Sequence, residues 1–257
     1  LLLIWALSGA CRAEQYDPTH AQWNDMLGRH VQWTRDGHAS EVDYAGFQRD
    51  RAVLQAYLDT LTALAPSEFE ALPRADRLAF LLNAYNAFTV ALVLQGWPEI
   101  DSIKDLGSLW RSPWKQRFFT LLGASRHLDD VEHGLIRGDP TLNDPRIHFA
   151  VNCASIGCPA LRPEAYVGAR LDAQLDDQTR RFLGDRQRNR IDGDTLLLSP
   201  IFRWYEDDFG PRDAPWDVLR RHAQWLTDDP AQRARISQGA LDIDYTEYDW
   251  SLNATPR

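Results

Sequence analysis

The stretch Leu78-Ala79-Phe80-Leu81-Leu82-Asn83-Ala84-Tyr85-Asn86-Ala87-Phe88 constrains this chain most. Set on a helix, it is apolar nearly all round, and a helix without a polar side has to be enclosed by other elements. Pro73 opens this helix, which runs to about Gln95 and is stopped by Gly96-Trp97-Pro98. At 257 residues there is enough chain to surround such a helix with a substantial core. Internal repeats, low-complexity stretches and long linkers are not visible, so one domain is expected.

The remaining elements read as helices alternating with short strands. Between Asp50 and Leu64, the residues Val53, Leu54, Tyr57, Leu58 and Leu61 share one helical face. Phe118 to Leu122 and Arg126 to Leu128, joined through Gly123, suggest a hairpin. Asp129 with Glu132 three residues on resembles a capping box, opening a short helix through Arg137. Arg146 to Val151 alternates Ile147, Phe149 and Val151 against His148 and Ala150, the period of a strand. Leu171, Leu175, Phe182 and Leu183 mark a further helix, and Asp192-Gly193 between two strand-like runs signals a tight hairpin turn. Val218, Leu219, His222, Trp225 and Leu226 share a helical face, on which His222 reads as a core histidine. Leu241, Ile243 and Tyr245 alternate again. The expected fold is a helix-rich α+β single domain around a small, mostly antiparallel sheet.

Leu1 to Ala10 is a short apolar run ending in small residues, too short to span a bilayer. It reads as the apolar part of a secretory signal, with residues 1–13 removed after Ala13 and residues 14–257 forming the domain. An alternative is a lipoprotein-like box, Leu7-Ser8-Gly9-Ala10-Cys11, with Cys11 as a lipid anchor and the sole membrane contact; a third is an ordinary buried segment. The first two readings place the protein in the periplasm or outside the cell. A formal charge of −9 lacks the basic surface that nucleic-acid binding needs, so none is expected. The ten tryptophans are expected in the core or in groove walls.

Chemistry concentrates in Ile147-His148-Phe149-Ala150-Val151-Asn152-Cys153-Ala154-Ser155-Ile156-Gly157-Cys158-Pro159. Cys153 follows directly on a predicted strand, where an element edge exposes a side chain. It is a candidate nucleophile, which requires a base to form the thiolate. Ser155 and Gly157 are candidate oxyanion donors through their backbone N–H groups. The alternative reading is a small structural bridge between Cys153 and Cys158, whose spacing is not the redox Cys-x-x-Cys. His133 is the preferred base, or else a surface histidine; His148 lies on the far side of an ideal strand from Cys153. Glu132 would orient the imidazole or serve the cap. Asn83 and Asn86 share a face of the buried helix, so they either meet a substrate or brace a loop backbone. Arg137 is a carboxylate clamp or a plain ion pair. Dinucleotide, P-loop, serine-elbow and zinc-protease motifs are absent, and no cofactor or metal is expected from the spacing.

Phe80 to Ala87, Val131 to Arg137, Ile147 to Pro159, Ile201-Phe202-Arg203-Trp204-Tyr205-Glu206-Asp207-Asp208-Phe209 and Tyr248-Asp249-Trp250-Ser251-Leu252-Asn253 together resemble the family called domain of unknown function 547, over roughly Asp43 to Asn253. The resemblance implies one exported α+β domain with Asn83, Asn86, Glu132, His133, Asn152 and Cys153 as its hallmark polar positions. A Cys, His and carboxylate or amide set is similar in residue types to papain-like and transglutaminase-like hydrolases, with His before Cys instead of the papain order. The expected function is a cysteine-nucleophile hydrolase or transferase acting on an amide or thioester of a peptide-like substrate. Its rivals are a module that binds a small thiol, a peptide such as glutathione, or a metal without turnover, and a structural envelope factor stapled by Cys153 and Cys158.

Overall fold

The computed structural model describes residues 16–108, 111–210 and 215–256. The signal-peptide and lipid-anchor expectations for residues 1–13 and Cys11 fall outside them. In chain order the elements are α1 (Ala21–His30), β1 (Val31–Trp33), β2 (Ser40–Val42), α2 (Tyr44–Arg49), α3 (Arg51–Ala63), α4 (Pro66–Ala71), α5 (Arg74–Val93), β3 (Phe119–Leu121), β4 (Ala124–Arg126), a π-helix (Asp130–Ile136), a 3-10 turn (Pro145–Phe149) and α6 (Leu171–Gly184). There follow β5 (Arg190–Asp192), β6 (Thr195–Leu198), α7 (Ile201–Trp204), α8 (Glu206–Phe209), α9 (Trp216–Arg221), α10 (Ala223–Leu226), α11 (Pro230–Gln238) and β7 (Asp242–Tyr245).

Helix α5 is the axle. Leu78 to Val90 are all buried, and α2, α3, the π-helix and a turn at Gly168–Arg170 pack around it. Trp23, Phe47, Leu61, Phe80 and Leu121 fill the main hydrophobic cluster with it. A second cluster joins Phe149 and Phe182 to Leu196, Phe202, Phe209, Leu219 and Ile236. Phe149 stacks on Phe182 with ring centroids 4.8 Å apart. The seam between the two clusters is where the functional cleft forms. Among the described residues, no helix is long and apolar enough to cross a membrane.

The fold class is the expected α+β, but its strands do not form one sheet. Two hairpins, β1–β2 and β3–β4, stand apart from a three-stranded sheet β5–β6–β7, in which β7 runs parallel to β6. The turn at Gly193 has the positive φ of +58° that the hairpin signal implies.

Four local expectations need correction. Residues 145–149 are a 3-10 turn and no strand: Pro145 supplies helical φ at its first position, and Asp144 caps it by accepting from the Arg146 amide at 3.0 Å. The alternation failed because His148 is as buried as Ile147 and Phe149, so the turn has no polar face to separate. Asp129 makes no side-chain cap, since its own backbone is already helical (φ −59°, ψ −31°). His222 is a half-exposed residue between α9 and α10, stacked on Trp225 at 4.4 Å, because the helix breaks there. Val53 is 37% exposed, off the buried face of α3.

Candidate functional site

Five pieces of backbone meet at the seam. Helix α5 brings Tyr85; the π-helix brings Glu132 and His133, with Asp129 just before it. The 3-10 turn and the loop after it bring His148, Cys153 and Cys158. The end of α7 brings Trp204 and Tyr205, and the C-terminal stretch brings Tyr248 and Trp250. With Trp114 and Ile201 they enclose a cleft of about 280 Å³. The tryptophans at 114, 204 and 250 wall a groove, one of the two places expected for them.

The cysteine loop is held rigidly by polar side chains that do not touch the cleft. Asn86 donates from Nδ2 to the Ala150 carbonyl (3.1 Å) and accepts from the Asn152 amide (2.8 Å). Asn152 donates to the Pro159 carbonyl (2.7 Å) and accepts from the Ala154 amide (2.9 Å), closing a turn in which Ala154 has φ +65°. Asn83 does the same for Tyr166, bonding both its carbonyl (2.7 Å) and its amide (3.0 Å). Arg188 reaches the carbonyls of Ile156, Gly157 and Cys158 from behind. Of the two readings of Asn83 and Asn86, substrate binding or loop bracing, these contacts are those of bracing, and Asn152, a candidate for the same substrate role, braces its own loop likewise: each is almost fully buried and its amide is committed to backbone.

Cys153 and Cys158 are disulfide-bonded. Cys153 is partly exposed at the cleft, whereas Cys158 is 3% exposed behind it. Three donors surround the Cys158 sulfur: the Cys153 amide at 2.9 Å, the Tyr248 hydroxyl at 3.1 Å and the Ser155 hydroxyl at 3.4 Å. The partners of Cys153 Sγ are the same hydroxyls, Tyr248 at 3.1 Å and Ser155 at 3.3 Å. Burial pushes the Tyr248 phenol up to about 12, so it stays protonated and able to donate. Its ring lies so close to Gly157 that a Cβ there would approach ring carbons to 2.9 Å, which is why glycine occupies that position.

The oxyanion role expected of Gly157 is corrected as well, because its amide is given to the Asp249 carbonyl at 2.8 Å, and that of neighbouring Ile156 to the Ser251 carbonyl. Ser155 is 1% exposed, and its hydroxyl serves the sulfurs.

Glu132 points inward because the π-helix turns more widely than an α-helix, with the Arg137 amide bonded to the Glu132 carbonyl five residues back. Its side chain is buried, and Oε1 has no hydrogen-bond partner. Burial first, then the Glu132 charge and hydrogen bonding, hold the Tyr85 and Tyr205 phenols well above their usual range. Asp129 is half-buried, and burial lifts its carboxyl, with the Glu132 charge adding and His133 opposing.

The two histidines occupy different networks. His148 is buried, stacked on Tyr205 at 3.8 Å, with Nε2 2.6 Å from Asp208 Oδ2. Arg137 donates to the same carboxylate from Nε (2.5 Å) and Nη2 (3.2 Å). His148 and Arg137 hold the Asp208 carboxyl far below the usual carboxylate range. His133 is exposed, with Nδ1 2.9 Å from Arg137 Nη1. Arg137 clamps a carboxylate, as one reading had it, but the carboxylate is the protein's own Asp208. His148, placed opposite Cys153 by the strand reading, lines the same cleft as Cys153 because the backbone turns. Among the described residues, no group of three or more His, Cys, Asp or Glu side chains is arranged to hold a metal ion.

Tyr85, Tyr205, Asp208 and Tyr248 were not singled out from the sequence, and Asp129 was read there only as a helix cap. Tyr205, Asp208 and Tyr248 sit inside recognisable blocks, 201–209 and 248–253, and that placement was the available signal.

Residues 69–183 match the family model described as "Protein of unknown function, DUF547". The match spans α5, the π-helix and the cysteine loop and stops before Tyr205, Asp208 and Tyr248. No curated protein and no solved structure matches the chain.

Proposed function

We propose, for a chain whose residues 69–183 match the DUF547 family of unknown function, that the cleft is a thiol-exchange site for a small thiol or a cysteine-bearing peptide. The observation that carries this is the Cys153 amide donating to Cys158 Sγ, with the Tyr248 and Ser155 hydroxyls beside both sulfurs, behind the more exposed sulfur of Cys153. In the step envisaged, a substrate thiolate attacks Cys153 Sγ from the cleft, and a new sulfur–sulfur bond forms between them. The Cys153–Cys158 bond breaks, and its electron pair leaves on Cys158 Sγ. The Cys153 amide, Tyr248 and Ser155 stabilise that thiolate, as donors to a charged sulfur do. A second substrate thiol then attacks the mixed disulfide; the substrate leaves as its own disulfide and the protein as a dithiol. Two thiols are oxidised and one disulfide is reduced, so the electrons balance. Export to an oxidising compartment, the location expected of this chain, would keep the Cys153–Cys158 bond formed.

Acyl transfer is the second reading, favoured by Glu132 and His133 lining the same cleft as Cys153. It requires reduced Cys153 to attack an amide or thioester, and His133 to turn from Arg137 towards the sulfur as the base.

Oxidised protein treated with reduced glutathione, quenched in acid and digested for mass spectrometry distinguishes the two. Exchange yields a glutathione adduct on Cys153, persistent in Cys158→Ala protein that has been oxidised with glutathione disulfide. An adduct confined to Cys158, or none, would overturn the exchange reading. Reduced protein that instead accumulates the acyl group of a peptide thioester on Cys153, lost in His133→Ala, would establish the acyl-transfer reading.

A further inference from the structure

We infer that the cleft holds an organic ammonium group of its ligand, seated between Glu132, Asp129 and a wall of aromatic rings. This assigns a ligand class to the cleft and does not depend on the sulfur chemistry.

The first support is Glu132. A carboxylate only accepts hydrogen bonds, and here it is 4% exposed with Oε1 unpartnered. The Tyr85 and Tyr205 phenols already hydrogen-bond to this carboxylate, which leaves Oε1 as the atom still open to a donor, and a buried acceptor left open is costly. A cationic donor satisfies it best, because hydrogen bonds between charged groups are the strong ones. Asp129, half-buried on the same cleft, adds a second acid group, and burial has already lifted its carboxyl.

The second support is the wall. Tyr248 and Trp250 lie with ring centroids 4.4 Å apart, Trp204 and Tyr248 4.8 Å apart, and Trp204 and Trp250 5.9 Å apart. Ring faces attract cations through their quadrupole, and this packed group of rings borders the cleft that Glu132 and Asp129 also line. The wall already carries one such contact, since Lys104 Nζ stands 3.4 Å from the Trp250 ring centroid.

The third support is the sign of the lining. Among the described residues, neither lysine nor arginine lines the cleft. Arg137 is bound to Asp208 and to the cleft residue His133. An anionic ligand would meet two acid groups, and a neutral one would bring no charge to Glu132 beyond that of Arg137, which is shared with Asp208.

The test uses probes without sulfur: n-butylammonium, n-butanol and butyrate, titrated by calorimetry into folded full-length protein at pH 7 and low salt. The cation should bind at least about tenfold tighter than the alcohol, the size expected when a cation–π contact and a charge-assisted hydrogen bond are added, with butyrate weakest. Glu132→Gln should bring cation and alcohol to within about twofold, since the charge-assisted contact is then gone. Asp129→Asn, at a half-exposed position, should narrow the ratio without unfolding the protein. The wild-type series decides by itself even where Glu132→Gln does not fold: equal affinities, or butyrate binding tightest, would overturn the inference. A full preference for the cation in both variants would overturn the residues assigned. Because these probes carry no thiol, failure of glutathione exchange with an intact ammonium preference removes the proposed function alone.

Discussion

Tyr248→Phe removes one hydroxyl and leaves the ring that packs on Gly157 and Trp250. The hydroxyl lies 3.1 Å from Cys158 Sγ, with Ser155 at 3.4 Å and the Cys153 amide at 2.9 Å as the other donors. A hydrogen bond to a charged group contributes about 1.5–3 kcal/mol. A Brønsted dependence of about one half on thiol basicity carries about half of that, 0.7–1.5 kcal/mol, into the exchange barrier. The expected effect is a rate about 3- to 13-fold slower. Stopped-flow mixing of oxidised protein with excess glutathione at pH 7, acid-quenched and counted by mass spectrometry, measures it. Ser155→Ala should slow the reaction less, because its contact is longer. The urea midpoint of Tyr248→Phe should match wild type and exclude a general loosening of the loop. A rate within a factor of about two of wild type for both variants would refute the role assigned to the donors around Cys158.

Leu82→Ala, at a position with no exposure in the middle of α5, should cost about 2–5 kcal/mol in urea unfolding through the cavity it leaves; a loss below about 0.5 kcal/mol, the size of a surface change, would place the helix outside the core. Asp208 has its folded-state carboxyl held down by His148 and Arg137, so its stabilising contribution is present above the unfolded value near 3.9 and is lost as pH falls below that value towards the folded one. Urea midpoints of wild type and Asp208→Asn between pH 2 and 6 should therefore differ most at about pH 5–6 and begin to narrow below about pH 4; a constant difference down to pH 2 would contradict it.

Much of the local structure was legible because it is set by neighbours in sequence. The all-round apolar pattern of 78–88 dictated an enclosed α5, Gly193 marked the β5–β6 turn, and the spacing of Leu171 to Leu183 marked α6. Period fails where both sides of a segment are buried. Ile147 to Val151 alternates like a strand, yet Pro145 and the Asp144 cap wind it into a turn, which moves His148 to the side of Cys153. Residue type alone also left open whether Asn83 and Asn86 meet a substrate or brace a loop. Asn83, Asn86 and Asn152 were visible as polar groups that had to be satisfied, but only the packed loops show that backbone amides and carbonyls satisfy them.

The sequence alone determined the enclosed helix, the α+β class and the concentration of reactive residues between Glu132 and Cys158, since each depends on residue type and short spacing. Tertiary structure decided what those residues do to one another. Tyr248 lies 90 positions after Cys158 yet touches its sulfur, and Asp208 lies 60 after His148 yet binds its ring. Hydrogen bonding and charge act over a few ångströms whatever the chain separation, so these partners have no trace in local pattern. Burial acts in the same way: the sequence reads Glu132 as an orienter of the imidazole or a cap residue, and packing beside Tyr85 and Tyr205 is what leaves its Oε1 without a partner at a cleft.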